Sequence, residues 1–212
     1  YMNVHINVIG KENIPPEGRF IFASNHPLGA LDGVALIRFF GHFYSGKIKF
    51  LVNDLLMHIK PLAPVFLPIN KYGSQAKESS LQINNAYESD EQMLIFPAGL
   101  CSRLQHGKIK DLEWKKTFIA KAVQSQRDII PIYFEGRNST FFYRFAQIRK
   151  CIGLKFNIEL IYLPDEMFNS KNKTFDIYIG KPIPWQTFDK SKSLQEWAQI
   201  VKEKVYQIKK NQ

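Results

Sequence analysis

The 212-residue chain has only two cysteines, Cys101 and Cys151, too few for a disulfide framework, and no pair of Cys or His stands at zinc-site spacing. A reducing compartment, no metal and no tightly bound cofactor are expected. Long hydrophobic runs are missing as well. Asp32, Arg38 and Asp54 interrupt the apolar stretches before any reaches the ~18 residues of a membrane-spanning helix. The opening Tyr1-Met2-Asn3-Val4-His5 lacks the charged start and cleavage site of a secretory signal, and a tyrosine at position 1 suggests missing upstream residues. No Gly-x-Ser-x-Gly elbow occurs, which leaves serine-hydrolase chemistry of that style unsupported. With 12 Gly and 11 Pro against 45% hydrophobic residues, collagen-like, low-complexity and disordered classes are excluded. One domain spanning 1–212 is expected.

Acidic residues run short in two places. Residues 1–100 carry eight basic and eight acidic side chains, and 128–170 five of each. By contrast, 101–127 has seven basic against two acidic, and 171–212 nine against four, so these two blocks hold the whole net charge of +10. Such placement suits an anionic partner, whether phospholipid, nucleic acid or an acidic carrier protein; a solvated basic face is the alternative.

Strand-like and helix-like patterns alternate along the chain without internal repeats. Val4, Ile6 and Val8 alternate with polar residues, and Arg19 to Ala23 form a second apolar run. Further strands are predicted at 47–52, at 65–69 with Pro68 marking an edge or end, at 93–96, 129–134, 155–162 and 174–179. Helices are predicted at 33–44, 74–88, about 112–124 and 140–151. A last helix opens at the capping box Ser193-Leu194-Gln195-Glu196, with Trp197, Val201 and Val205 on one face. The pattern predicts an α/β fold, a mostly parallel or mixed sheet of about seven strands flanked by helices.

The segment that points to chemistry is Ser24-Asn25-His26-Pro27-Leu28-Gly29-Ala30-Leu31-Asp32-Gly33. A predicted strand ends in a loop carrying a histidine and a carboxylate, and loops after strand ends gather reactive groups in α/β sheets. An imidazole takes a proton near neutral pH, and a nearby aspartate fixes its tautomer and stabilises the imidazolium. The alternative is a surface histidine beside an aspartate that starts a helix.

The order strand, Asn-His-Pro, Asp, then Phe-Pro-x-Gly resembles the lysophospholipid acyltransferase superfamily, which includes 1-acylglycerol-3-phosphate acyltransferases. His26 and Asp32 match its His-Asp motif, Pro68-Ile69-Asn70-Lys71 lies where its second block falls, and Phe96-Pro97-Ala98-Gly99-Leu100-Cys101-Ser102-Arg103 resembles the third. Ile129-Ile130-Pro131-Ile132 resembles the fourth. Two departures stand out. Five residues separate His26 from Asp32 where the family commonly has four, and Ala98 and Cys101 replace a glutamate and an arginine of the third block. The five-residue spacing and the alanine are similar to a bacterial subgroup of hemolysin-like, aminolipid-forming acyltransferases.

The resemblance implies transfer of a fatty acyl group from a thioester to the hydroxyl of a lysolipid, lysophosphatidic acid or a relative of it. His26 would act as general base and Asp32 would orient it, while Arg103, Lys71, Gly99 and Ser102 would bind acceptor or donor. Acyl carrier protein or coenzyme A would carry the acyl group, and an oxyanion donor is expected near Gly99. The setting implied is peripheral, on the cytoplasmic face of the membrane against anionic lipid, without nucleic acid. Other readings are a thiol nucleophile at Cys101 paired with His26 or His106, and a non-enzymatic basic module for membrane or nucleic acid. Outward members of Phe39 to Tyr44 and Phe141 to Phe145 would form a membrane patch, core packing being the alternative.

Overall fold

A computed structural model describes residues 2–53, 56–57, 59–69, 75–154 and 156–211. In chain order the strands are β1 (His5–Ile9), β2 (Phe20–Ser24), β3 (Ile48–Val52), β4 (Phe66–Pro68), β5 (Gln92–Ile95), β6 (Arg103–Gln105), β7 (Lys108–Lys110), β8 (Asp128–Phe134) and β9 (Thr174–Ile179). The helices are α1 (Leu31–Phe43), α2 (Gln75–Glu88), α3 (Thr117–Ser125), α4 (Thr140–Cys151), α5 (Leu163–Phe168) and α6 (Leu194–Gln207). Seven strands form one sheet in the order β1-β9-β8-β2-β5-β3-β4, and all neighbours run parallel except β8 and β9. This is the mixed α/β sheet the alternating pattern predicts. β4 closes one edge and ends at Pro68, where a residue without an N–H costs no ladder bond.

Strand periodicity sorts the central side chains into two layers. Phe20 and Phe22 of β2, Leu94 of β5 and Ile130, Ile132 and Phe134 of β8 pack beneath α1, which contributes Leu36, Ile37 and Phe40. Ile21 and Ala23, Met93 and Ile95, and Ile129 face the other way, where α2, α3 and α6 cover them through Tyr87, Phe118, Ile119, Val201 and Val205. The central strands are buried on both faces, so their sequences read as continuous apolar runs. α6 starts at the expected capping box: the Ser193 hydroxyl accepts the Glu196 N–H at 3.2 Å, and Glu196 accepts the Ser193 N–H at 2.7 Å. No helix of the described residues is long and apolar enough to cross a membrane.

Three expectations change. Residues 155–162, predicted as a strand, contain instead a 3-10 turn at Ile158–Tyr162. Glu159 is buried there and ion-paired to Arg103 and Arg149, which pins the segment against α4 and away from the sheet edge. Between the third block and the helix predicted from about 112, where the sequence predicts no element, stands the hairpin β6–β7, whose two-residue turn His106-Gly107 has positive φ at both positions, 47° and 75°, as a type I′ turn requires. The helix predicted from Leu112 begins at Thr117, because Asp111 and Trp114 fold inward first.

Candidate active site

β2 leaves the sheet at Ser24, and Asn25 secures the exit. Its side-chain amide donates to the Phe134 carbonyl at 2.9 Å and its oxygen accepts the Phe134 N–H at 2.6 Å, extending the link to β8 beyond the strand. The chain then turns at Gly29, where φ is +82° and a Cβ would meet Leu163 Cδ2 at 2.8 Å and Cys101 Cβ at 3.1 Å. Backbone conformation and packing both require glycine here. This turn absorbs the fifth residue of the spacing and brings Asp32, in the first turn of α1, to the imidazole.

His26 Nδ1 lies 2.9 Å from Asp32 Oδ2. Oδ2 also accepts the Leu28 N–H at 2.9 Å, and Oδ1 accepts the Gly33 N–H at 2.9 Å. Burial of Asp32 opposes its ionisation, but the His26 partner and these backbone donors outweigh it and hold the carboxyl below its ordinary 3.8. A carboxylate only accepts, so Nδ1 carries the ring hydrogen and Nε2 keeps the lone pair. Phe96, directly after β5, stacks on the imidazole with centroids 3.8 Å apart at 15° and fixes the ring plane. The pair is therefore arranged to take a proton at Nε2 and to stabilise the charge that results.

The third block supports this loop through its backbone. The Ser102 N–H donates to the His26 carbonyl at 2.7 Å, and the buried Ser102 hydroxyl donates to Asp111 Oδ1 at 2.6 Å. Asp111, which sequence reasoning missed, accepts the His26 N–H at 3.2 Å and the Trp114 indole N–H at 2.9 Å. Both backbone polar groups of His26 are thus held by residues 102 and 111. Burial pushes the Asp111 carboxyl up, against the pull of its Ser102, Trp114 and His26 donors. Its separation from His26 by 85 residues left no local signal.

The remaining expected residues fall in different places. The Gly99 N–H donates to the Phe96 carbonyl at 2.9 Å and closes a turn with φ +70°. A Cβ at Gly99 would meet Lys115 Nζ at 2.6 Å, so the bare backbone makes room for that ammonium. Arg103 Nη2 donates to Glu159 at 2.8 Å, and Nη1 donates to the Cys101 sulfur at 2.9 Å and its carbonyl at 3.2 Å. Glu159 also pairs with Arg149 Nε at 2.8 Å, so the trio carries one formal positive charge and meets the Gly29 turn through Cys101, which Arg103 contacts. Lys71 lies outside the described residues.

Cys101 is buried, and burial pushes its thiol up to about 11 despite the adjacent Arg103. A neutral, enclosed thiol suits packing rather than nucleophilic attack. His106 sits exposed in the hairpin turn. Arg127, counted with the basic block, is fully buried and donates to the carbonyls of Tyr87, Glu91, Ala86 and Ser89, so it offers no charge to a partner.

A strand-end histidine and aspartate, followed by a Phe-Pro-x-Gly turn, on a mixed sheet clothed by helices on both faces, define an α/β acyltransferase. The acyltransferase family model matches residues 2–212, and the chain belongs to that family, within the lysophospholipid acyltransferase superfamily its motifs resemble. It is 55% identical over 208 residues to the lyso-glycine lipid O-acyltransferase of Bacteroides thetaiotaomicron, covering 98% of this chain and 76% of that protein. The enzyme of the same name from Phocaeicola vulgatus is 52% identical, with 98% and 75% covered. Among solved structures, the 1-acyl-sn-glycerophosphate acyltransferase of Thermotoga maritima shares the fold, with a TM-score of 0.59 at 20% identity over 98% of this chain and 73% of that one.

Proposed function

We propose that this enzyme moves a fatty acyl group from a thioester to the hydroxyl of a lysolipid, with His26 as general base. The observation that carries the reading is the 2.9 Å contact between His26 Nδ1 and the buried Asp32, which leaves Nε2 as the basic nitrogen. The acceptor hydroxyl gives its proton to Nε2 while its oxygen attacks the thioester carbonyl. Asp32 stabilises the imidazolium, which returns the proton to the departing thiolate as the tetrahedral intermediate collapses. General-base assistance of this kind supplies ~10²–10⁴ in rate. The donor is acyl carrier protein or coenzyme A, both anionic and both suited to the exposed Lys108 and Lys110 of the hairpin.

For the acceptor, a lyso-glycine lipid is favoured over lysophosphatidic acid. The relatives of highest identity above carry that name, and the headgroup of a glycine lipid ends in a carboxylate. With Ala98 and Cys101 in the third block, the cations on this side of the site are Arg103 and Arg149, which share the single Glu159 and so leave one formal positive charge to attract a carboxylate. The reaction belongs at the cytoplasmic face of a membrane, where thioester donors meet a lipid acceptor.

The test offers purified enzyme acyl carrier protein thioester and acyl-coenzyme A with a panel of lysolipids carrying phosphate or amino-acid headgroups. Products are read by mass spectrometry, with His26→Ala alongside. Transfer to the glycine-bearing lysolipid by wild type, lost by ~10² or more in His26→Ala, is expected. Equal transfer by a folded His26→Ala protein refutes the mechanism, and exclusive use of lysophosphatidic acid refutes the acceptor.

A further inference from the structure

α4, the 3-10 turn and α5 make a lobe whose outer surface is unusually apolar. Seven of the thirteen exposed large hydrophobic side chains among the described residues lie between positions 141 and 168, a concentration that scattered surface hydrophobics do not produce. Phe156 is 82% exposed and Ile161 76%. Core packing accounts for only one side of α4: Phe142, Tyr143 and Ala146 point inward, while Phe141, Ile148 and Ile152 point out. Phe141 and Phe145 stack on each other, and both meet the Tyr162 ring edge-on, at 5.2 and 5.5 Å, so the helix and the turn present one surface.

Charge identifies the occupant. Between Gly136 and Ile158 there are five basic residues and no acidic one. Of the three carboxylates from 136 to 170, Glu159 and Glu166 are buried and only Asp165 is exposed. Arg144 and Lys150 stand exposed on α4 among the apolar side chains. Aliphatic and aromatic side chains interspersed with exposed cations fit the boundary between anionic headgroups and acyl chains. Nucleic acid is a poorer fit, because isoleucines stack no bases. The lobe also touches the reaction centre. Leu163 lies against Gly29 in the loop between His26 and Asp32, and Asn138, at the entrance to α4, donates to the Leu28 carbonyl at 3.3 Å.

We propose that the α4–α5 lobe is the face through which this enzyme docks on an anionic bilayer, setting the His26 loop beside the lipid from which the acceptor comes. The docking deepens the reading of a lysolipid acceptor but is measured without it. Vesicles of phosphatidylglycerol and phosphatidylcholine, and of phosphatidylcholine alone, are floated with wild type, with Phe156→Glu/Ile161→Glu, and with Leu81→Glu on α2 as a control. The substituted side chains are all exposed, and thermal unfolding checks that the fold survives. Wild type and Leu81→Glu should float with the anionic vesicles, while the double variant should lose at least about tenfold in partitioning, as removal of two inserted apolar side chains requires. An environment-sensitive fluorophore on Cys151, the exposed cysteine on α4, should shift its emission to the blue on adding anionic vesicles.

Unchanged flotation of the double variant overturns the proposal, and so does absence of binding by wild type. A dimer dissolved by the same two substitutions, without vesicle binding, would assign the face to a second copy and also overturn it. Transfer to detergent-dispersed lysolipid separates the two readings: the double variant should match wild type there and fall behind only on vesicles. If neither transfers in detergent while wild type still floats through this lobe, the acyl-transfer chemistry fails and the docking stands.

Discussion

Replacing Asp32 by asparagine alters one atom and puts the reaction centre to its hardest test. The carboxylate serves donors on two sides: Oδ2 faces His26 Nδ1 and the Leu28 N–H, and Oδ1 faces the Gly33 N–H. An amide has only one acceptor, so either orientation aims its NH₂ at a backbone N–H and leaves that donor unpaired in a buried site. The cost is about 1–3 kcal/mol of stability. With its oxygen toward Gly33, the amide donates to Nδ1 and transfers the ring hydrogen to Nε2, the nitrogen that accepts the substrate proton in the proposed mechanism. With its oxygen toward His26, the imidazolium lacks a counter-charge. Either way acyl transfer should fall ~10²–10⁴-fold, equal to roughly 3–5 kcal/mol of barrier, with acceptor KM little changed.

Initial rates of thiol release at saturating donor, with product checked by mass spectrometry, measure the loss of transfer. Thermal unfolding measures the loss of stability, at about 2–4 °C per kcal/mol for a chain of this size. The pH dependence has a definite sign. Because the folded carboxyl titrates below 3.8, the stability it supplies is full above that value and is lost as pH falls through the lower folded value. The stability gap between wild type and Asp32→Asn should therefore be widest near neutral pH and close in acid. Activity of Asp32→Asn within about threefold of wild type would refute the assignment of the pair, whatever its stability.

Cys101, its thiol raised to about 11, should resist iodoacetamide at pH 7.5 while the exposed Cys151 labels; peptide mapping reads both. Cys101→Ala should keep activity within about tenfold, and complete loss in a folded variant would revive a thiol nucleophile. Arg127→Ala should strip four carbonyls of their donor and cost about 3 kcal/mol or more, read as a lowered unfolding midpoint. Because that side chain is buried, donor KM should stay the same in the fraction that remains folded.

Strands and helices were legible where periodicity and local chemistry agreed. Met93, Leu94 and Ile95 read as a buried strand because both faces of β5 are covered, and Ser193 with Glu196 announced α6 through a cap that closes within four residues. The 155–162 segment misled because its hydrophobicity is genuine. Phe156 and Ile161 are apolar and exposed, so no sheet buries them, and the segment is fixed instead by Glu159, whose partners Arg103 and Arg149 lie elsewhere in the chain. Charge counting failed at Arg127 for a similar reason. A composition block cannot tell a surface cation from one that caps carbonyls inside the fold.

The reaction centre divides along the same line. His26 and Asp32 are six residues apart, so a short segment was enough to pair them. What holds the imidazole in place comes from far away: Phe96 sets the ring plane, and Ser102 and Asp111 bind the two backbone groups of His26. These contacts give the third block a task that does not depend on the family's usual glutamate and arginine. The Ser102 backbone N–H and hydroxyl are present whatever stands at 98 and 101, so the block can lose both charges and still position His26. Under the proposed function, substitutions at 98 and 101 can then alter headgroup preference without disturbing the histidine, while Arg103 remains tied to Glu159.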